Sequence, residues 1–279
     1  CLHIWFLRGR FLMAKNILLV LLISLLFSCS NHENVQIFIA TEDLQIGTNR
    51  FSVAFADTNG LLNQESVEAS FSGEGGYPKF KKELKFVGFP DYYDIDLNNG
   101  LYTEIIDFEK SGKWRISLGD GDVSFFVKEI SNSLSVGDRA PKSNNLTINE
   151  TSIENLSTGT PLSSSFYENK VDQLLNANEL FIVAFMSPAF CIDPTCGPQI
   201  DTLYELSNKY ESLPIIHIET YLNPVELKND FDKKKINPII EEWGVDEGQW
   251  LYVVAKNGMI VAKFQGYASL EQIEEYIIR

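Results

Sequence analysis

The alternation of apolar and polar residues along the chain divides it into two parts. From Val35 to about Ile130, short runs repeat with a period of two, as where Phe51, Val53 and Phe55 share one face. Gly- and Asn-rich turns separate the runs, a spacing typical of an antiparallel β-sandwich. We therefore predict an all-β domain over residues 35–130, with strands at 35–40, 50–56, 66–71, 82–89, 101–107, 113–118 and 122–129.

The pattern after residue 165 changes to alternating helices and strands. Leu180 to Phe185 is a continuous apolar run, which favours a buried strand, and apolar residues at 200, 203 and 206 predict a helix over 197–210. The order is βαβ followed by ββα, which predicts an α/β domain over 166–279. Its other predicted elements are helices at 166–176, 225–243 (broken near 237–238) and 270–278, and strands at 214–219, 250–255 and 259–264.

Residues 131–165 are rich in Ser, Asn and Thr and show little periodicity. This composition is typical of a connecting segment. We interpret it as a linker that also forms the entry into the second domain. Because each half has its own set of predicted elements, we expect the two halves to fold separately.

The N-terminal segment, residues 1–28, has the composition of a secretory signal. A short basic stretch begins at Met13, and Ile17 to Phe27 is apolar but shorter than the roughly 20 residues that span a bilayer. We expect translation to begin at Met13, so that residues 1–12 correspond to sequence upstream of the start codon and are not part of the protein. The run that ends at Cys29 resembles a bacterial lipobox, which implies cleavage before Cys29, lipidation of that cysteine and a location in the cell envelope. An uncleaved membrane anchor is the alternative.

The formal charge of −15 argues against a nucleic-acid partner, which requires a basic face. If Cys1 is removed with the signal segment and Cys29 carries the lipid, Cys191 and Cys196 are the two of the four cysteines that remain in the folded part. An extracytoplasmic compartment permits these two to form a disulfide.

Cys191 and Cys196 lie between a predicted strand and a predicted helix. Gly197 and Pro198 signal the start of that helix, so Cys196 is expected at or beside its N-terminus, where unpaired N–H groups and the helix dipole favour a thiolate. The pair is therefore a candidate dithiol/disulfide centre. We assign Cys191 as the attacking cysteine, because it is expected to be more exposed, and Cys196 as the resolving one.

This strand, cysteine loop and helix resemble the thioredoxin superfamily, in particular redoxin-type members with a Pro-Ala-Phe-Cys…Cys-Gly-Pro loop. The resemblance implies a thioredoxin-like fold, thiol–disulfide exchange with a protein partner that the sequence does not identify, and no cofactor. The spacing differs from the thioredoxin signature, because the Gly-Pro pair follows the second cysteine here. The matching residues are Pro188, Ala189, Phe190, Cys191, Cys196, Gly197 and Pro198.

Two further positions depart from thioredoxins. Gln249, followed by Trp250, occupies the place of the cis-proline that faces the cysteines, and we expect a trans bond there because a non-proline cis bond costs about 2.5–4 kcal/mol. Ala184 replaces a buried Asp, for which Asp193 or Glu219 are candidate substitutes. In the first half, the runs at 47–51, 99–102 and 112–115 resemble immunoglobulin-like modules of bacterial surface proteins, which implies no catalytic residue.

Three alternatives stay open. The disulfide could serve only to hold its loop in a binding or scaffold protein. Pro188, Thr195 and Cys196 resemble part of a peroxiredoxin site, but the arginine needed there has no counterpart, since only Arg279 follows residue 139. His217 with the two thiols could handle copper, although its position within a strand favours an ordinary buried histidine.

Overall fold

The computed structural model describes residues 34–75, 79–90, 99–159, 163–191 and 194–278. The predicted signal segment, Cys29 and Asp193 lie outside the described residues.

The first half is all β, as predicted. Within its described residues, nine strands form one large curled sheet in the order β1-β3-β7-β6-β5-β8-β9-β2, with β4 paired to β3. The pairings are antiparallel except for β2 with β9. The strands are β1 (Gln36–Ile39), β2 (Leu44–Gln45), β3 (Gly47–Asp57), β4 (Gly60–Leu61), β5 (Ser66–Gly73), β6 (Phe80–Gly88), β7 (Gly100–Phe108), β8 (Gly112–Leu118) and β9 (Gly121–Lys128).

One aromatic core fills the curl of this sheet. Phe51, Val53 and Phe55 of β3 are completely buried, as their alternation predicts. Phe51 meets Phe71 edge to face, with the ring centroids 5.4 Å apart. All seven predicted strands are confirmed. The sequence missed the two-residue strands β2 and β4, which are too short to show a period.

The second half has a four-stranded sheet in the order β11-β10-β12-β13. β10 is parallel to β11 and antiparallel to β12, which in turn is antiparallel to β13. Among the described residues, no helix is both long and apolar enough to cross a membrane. The elements are α1 (Val171–Ala177), β10 (Phe181–Met186), α2 (Cys196–Lys209), β11 (Ile215–Glu219), α3 (Pro224–Asn229), α4 (Pro238–Trp243), β12 (Trp250–Val254), β13 (Ile260–Gln265) and α5 (Leu270–Ile277), with 3₁₀ turns at Ile153–Asn155, Ser164–Tyr167 and Phe231–Lys233.

Two predicted helices are shorter than expected. The helix predicted over 166–176 is a 3₁₀ turn ending at Tyr167 followed by α1, because Lys170 has an extended backbone (φ −106°, ψ 143°). The helix predicted over 225–243 divides into α3, a 3₁₀ turn and α4. An extended Asp230 ends the first piece, and Tyr221 forms a β-bridge with Ile236 before Pro238 begins the last.

The segment predicted as a linker lies along the second sheet for part of its length. The amide of Leu134 donates to the carbonyl of Trp243 (3.0 Å), and that of Ala140 donates to the carbonyl of Gly258 (2.9 Å). The backbone of Asn132 approaches Gly244 closely because glycine has no Cβ; a Cβ there would overlap the carbonyl oxygen of Asn132. The left-handed backbone of this residue (φ +64°) also favours glycine.

A buried carboxylate joins the two halves. Asp43 accepts hydrogen bonds from Lys128, Ser131 and Ser133, and Lys263 of the second sheet lies 3.6 Å away. Burial alone would raise the pKa of Asp43, but the hydrogen bonds outweigh it and hold the pKa well below its usual range. The amides of Glu42 and Asp43 also donate to the side-chain oxygen of Gln265.

Arg50 forms a second junction between the halves. Its guanidinium donates to the carbonyl of Tyr267 (2.6 Å), to the side chain of Gln272 (3.0 Å) and to Ser52 (2.7 Å), and stacks over Phe264 at 5.2 Å. The residue is only half-buried overall, yet its Nε is enclosed without a partner. Burial lowers the pKa of Arg50 to about 10, so the guanidinium stays charged at neutral pH.

Candidate functional site

A disulfide joins Cys191 to Cys196 at the end of the central strand β10. The Cα atoms are 6.2 Å apart, within the usual range for such a bond. Cys196 is buried, with 3% of its surface exposed, whereas Cys191 is only half-buried. The expected pairing is confirmed, and Cys191 is the more exposed of the two residues.

Cys196 is the first residue of α2, one position earlier than the predicted helix start. Thr195 is the N-cap residue, but its side chain forms no cap hydrogen bond, and Pro198 has no amide hydrogen to offer. The amide of Gln199 is already bonded to the carbonyl of Thr195 (2.9 Å). As the first residue of α2, Cys196 lies at the positive end of the helix dipole.

A chain of buried amides lies beneath the disulfide. Thr195 Oγ1 donates to the side-chain oxygen of Gln249 (3.3 Å), and Gln249 Nε2 donates to that of Gln199 (3.4 Å). The same Gln199 oxygen accepts from the amide of Ala268 (2.8 Å), and Gln199 Nε2 donates to the carbonyl of Ala268 (3.3 Å). Both glutamines are essentially unexposed. This chain fixes the start of α2 relative to β12 and to the turn before α5.

Of the other predicted flanking residues, four lie in the cysteine loop or the first turn of α2, whereas Trp250 lies away from them. Pro188 and Phe190 are half-buried in the loop, and Gly197 and Pro198 lie in the first turn of α2. Trp250 lies on the face of the sheet opposite to the one that packs with Cys196, because successive strand residues alternate in direction and its neighbour Leu251 shares the core of Cys196. It packs in the core on that side, and its Nε1 donates to Asp246 (2.7 Å).

His217 is held as a neutral imidazole beside β10. Its Nε2 lies 3.1 Å from the carbonyl of Met186, which can only accept, so this nitrogen carries the proton. Nδ1 then accepts from the hydroxyl of Tyr167 at 2.6 Å. Burial lowers the pKa of His217 to about 4. Both ring nitrogens are therefore engaged, which leaves no lone pair for a metal.

Glu219, two residues further along β11, supports the cysteine loop. Its Oε2 accepts from the amide (2.7 Å) and hydroxyl (2.8 Å) of Thr158, and that hydroxyl oxygen accepts from the amide of Ala189 (3.1 Å). Burial raises the pKa of Glu219, against hydrogen bonds from Ser187 and Thr158 that lower it. Ala184 lies inside β10 with no polar group, and among the described residues Glu219 is a buried acid connected to the loop through Thr158.

The sequence did not identify Thr158 or Gln199 as part of this site. Thr158 is in a segment without periodicity, and Gln199 is an ordinary polar residue within a helix. No spacing rule signals either one, because their partners are 61 and 50 residues away in the chain.

Comparison of the chain with protein-family models, with curated proteins and with solved structures finds no match. In the part of the chain that the structure describes, no group of three or more His, Cys, Asp or Glu side chains could hold a metal ion.

Proposed function

We propose that this protein is an extracytoplasmic thiol–disulfide exchange protein, in which an immunoglobulin-like β domain precedes a thioredoxin-like domain. The observation that carries the proposal is the position of the disulfide: Cys196 begins the helix that follows the central strand, and Cys191 lies in the loop before it. A helix N-terminus lowers the pKa of a thiol and so increases the fraction of reactive thiolate.

The difference in exposure between Cys191 and Cys196 gives the order of the two exchange steps. In the reduced protein, the Cys191 thiolate attacks a sulfur of the partner's disulfide, a mixed disulfide forms, and one partner thiolate leaves. The Cys196 thiolate then attacks the Cys191 sulfur and releases the second partner thiolate. The partner gains two electrons and the protein regains its disulfide. Cys191 attacks first because its sulfur belongs to the more exposed residue.

The proposal is tested by the reduction potential of the pair together with a trapping variant. We expect a potential between about −120 and −270 mV, in the range of exchange proteins, whereas structural bridges lie below about −300 mV. Cys196→Ser treated with glutathione disulfide should keep one glutathione on Cys191, as seen by intact mass. The matched control, Cys191→Ser, should bind far less because Cys196 is buried.

Two results together would contradict the exchange function. A potential below about −300 mV and no adduct on Cys196→Ser would leave a disulfide that only stabilises its loop, as in a binding or scaffold protein.

The predicted signal segment adds a location to this proposal. The run before Cys29 supports cleavage and lipid attachment at the cell envelope. Mass spectrometry of the cellular protein is expected to find acylated Cys29 as the first residue. Recovery of a peptide that includes residues 20–28 from the cellular protein would contradict this.

A further inference from the structure

An aromatic cluster stands directly beside Cys191. The ring of Phe190 lies 5.1 Å from that of Phe231 and 6.3 Å from that of Tyr221, and the last two are 5.9 Å apart. Phe231 belongs to the 3₁₀ turn between α3 and α4 and is 43% exposed. An exposed phenylalanine is therefore packed against the residue that precedes the candidate attacking cysteine.

Exposed apolar side chains are concentrated around this cluster. Thirteen large apolar side chains are exposed among the described residues, and four of them lie within the fifteen residues from 222 to 236. We call this surface the apolar patch; its exposed members are Leu222, Val225, Phe231 and Ile236. A local concentration of exposed apolar side chains beside a reactive group is typical of a contact site.

Backbone bonds fix the shape of the segment that carries the patch. The amide of Leu222 donates to the carbonyl of Lys235 (2.7 Å), and Tyr221 pairs with Ile236. The side chain of Asn223 donates to the carbonyl of Lys233 and accepts from the amide of Lys235, both at 3.0 Å. The patch is thus formed before a partner arrives, which reduces the entropy cost of binding.

The charges around the patch are paired internally. Lys234 binds Glu247 at 2.9 Å, Lys235 binds Glu226 at 3.3 Å, and Lys233 lies within 4 Å of Glu226 and Asp230. The carboxylates beside these three lysines offset their positive charge, and the chain as a whole carries a formal charge of −15, which disfavours nucleic acid or an anionic membrane surface as the occupant. A polypeptide with apolar side chains fits better.

We propose that the apolar patch binds the apolar side chains that flank the reacting cysteine of a protein partner. This inference rests on the proposed exchange activity and adds to it the partner's chemistry. A chain bonded through sulfur to Cys191 advances about 3.3 Å per residue, so the residues one to three positions from its cysteine can reach Phe231. Burying one such side chain is enough for about a tenfold rate preference.

The test uses two peptides of equal charge, each with one cysteine blocked by glutathione. One peptide carries Phe and Leu beside the cysteine, and the other carries Ser and Gly. Reduced protein attacks the peptide sulfur and glutathione leaves as a thiol. Closure of the Cys191–Cys196 disulfide then releases the peptide thiol. We expect the apolar peptide to react about tenfold faster, and Phe231→Ser to reduce this ratio to nearly one. The matched control, Phe126→Ser, removes a 59% exposed phenylalanine from β9 and should keep the ratio.

The outcomes separate the two proposals. If the reduced protein exchanges with neither peptide nor with glutathione disulfide, the exchange function itself fails. If it exchanges with both peptides at one rate, or if Phe231→Ser keeps the ratio, the exchange function stands and the patch is not its docking surface. Loss of binding to neutral lipid vesicles in Phe231→Ser, with no peptide preference in the wild type, would assign the patch to a membrane instead.

Discussion

Replacing Arg50 with methionine is expected to lower the free energy of unfolding by about 3 kcal/mol. The substitution removes charged donors from the carbonyl of Tyr267 and the side chain of Gln272, which lie across the junction of the two halves. Hydrogen bonds to charged groups contribute about 1.5–3 kcal/mol each, and the loss is partly offset because a buried cation is no longer desolvated. Urea denaturation of the whole protein measures the change.

The matched control is Arg115→Met in the same large sheet. Arg115 is exposed and pairs with Asp122 at 3.0 Å, and an exposed pair of this kind contributes at most about 1 kcal/mol. If both variants unfold at the same urea concentration, Arg50 does not couple the halves. Separate folding of the halves stays a prediction. The contacts of Arg50 and Asp43 show that the halves meet through charged side chains, of which Asp43 is buried and Arg50 half-buried.

Replacing His217 with glutamine is expected to remove a loss of stability in acid. The folded pKa of about 4 lies below the ordinary 6.5, so the unfolded chain binds more protons between these two values. The unfolding free energy of the wild type therefore falls as the pH drops from about 6.5 to about 4. Below pH 4, His217 causes no further decrease. The shift corresponds to about 3 kcal/mol. Glutamine can still bond to Met186 and Tyr167 but does not titrate in this range.

The comparison uses unfolding free energies of both proteins between pH 4 and pH 7. Glu219 acts in the opposite direction, because burial raises its pKa and stability is lost as the pH rises through the folded value. It is present in both proteins and cancels in their difference. His32, in the polar run of residues 30–34 that follows Cys29 in the sequence, provides the control His32→Gln, which should keep the wild-type pH profile. Equal profiles for the wild type and His217→Gln would show that His217 is not buried as a neutral group.

Periodicity predicted the elements of this chain well wherever a long regular run exists. The alternation at Phe51, Val53 and Phe55 and the continuous run before Met186 correspond to observed strands. Prediction was poorer between 225 and 236, where the predicted long helix is replaced by the six-residue helix α3 and a 3₁₀ turn. The extended backbone of Asp230 and the β-bridge between Tyr221 and Ile236 interrupt the helix there, despite the local helix preference of the sequence.

The candidate site was located from sequence because its signal is local. Cys191, Cys196, Gly197 and Pro198 lie within eight residues, and the start of a helix depends mostly on neighbouring residues. The sequence also placed His217 inside a strand, but it could not show that Tyr167 and Met186 would occupy both ring nitrogens.

The amino-acid sequence by itself determined the order of strands and helices, the all-β first half and the position of the cysteine pair, since these follow from spacing and local backbone preference. Only the tertiary structure decided what surrounds the disulfide. It brought Gln249 and Gln199 under Thr195, placed Glu219 against Thr158, and set Phe231 beside Phe190. Those contacts join residues far apart in the chain, and each depends on burial and hydrogen-bond satisfaction in the whole fold, which no local pattern records.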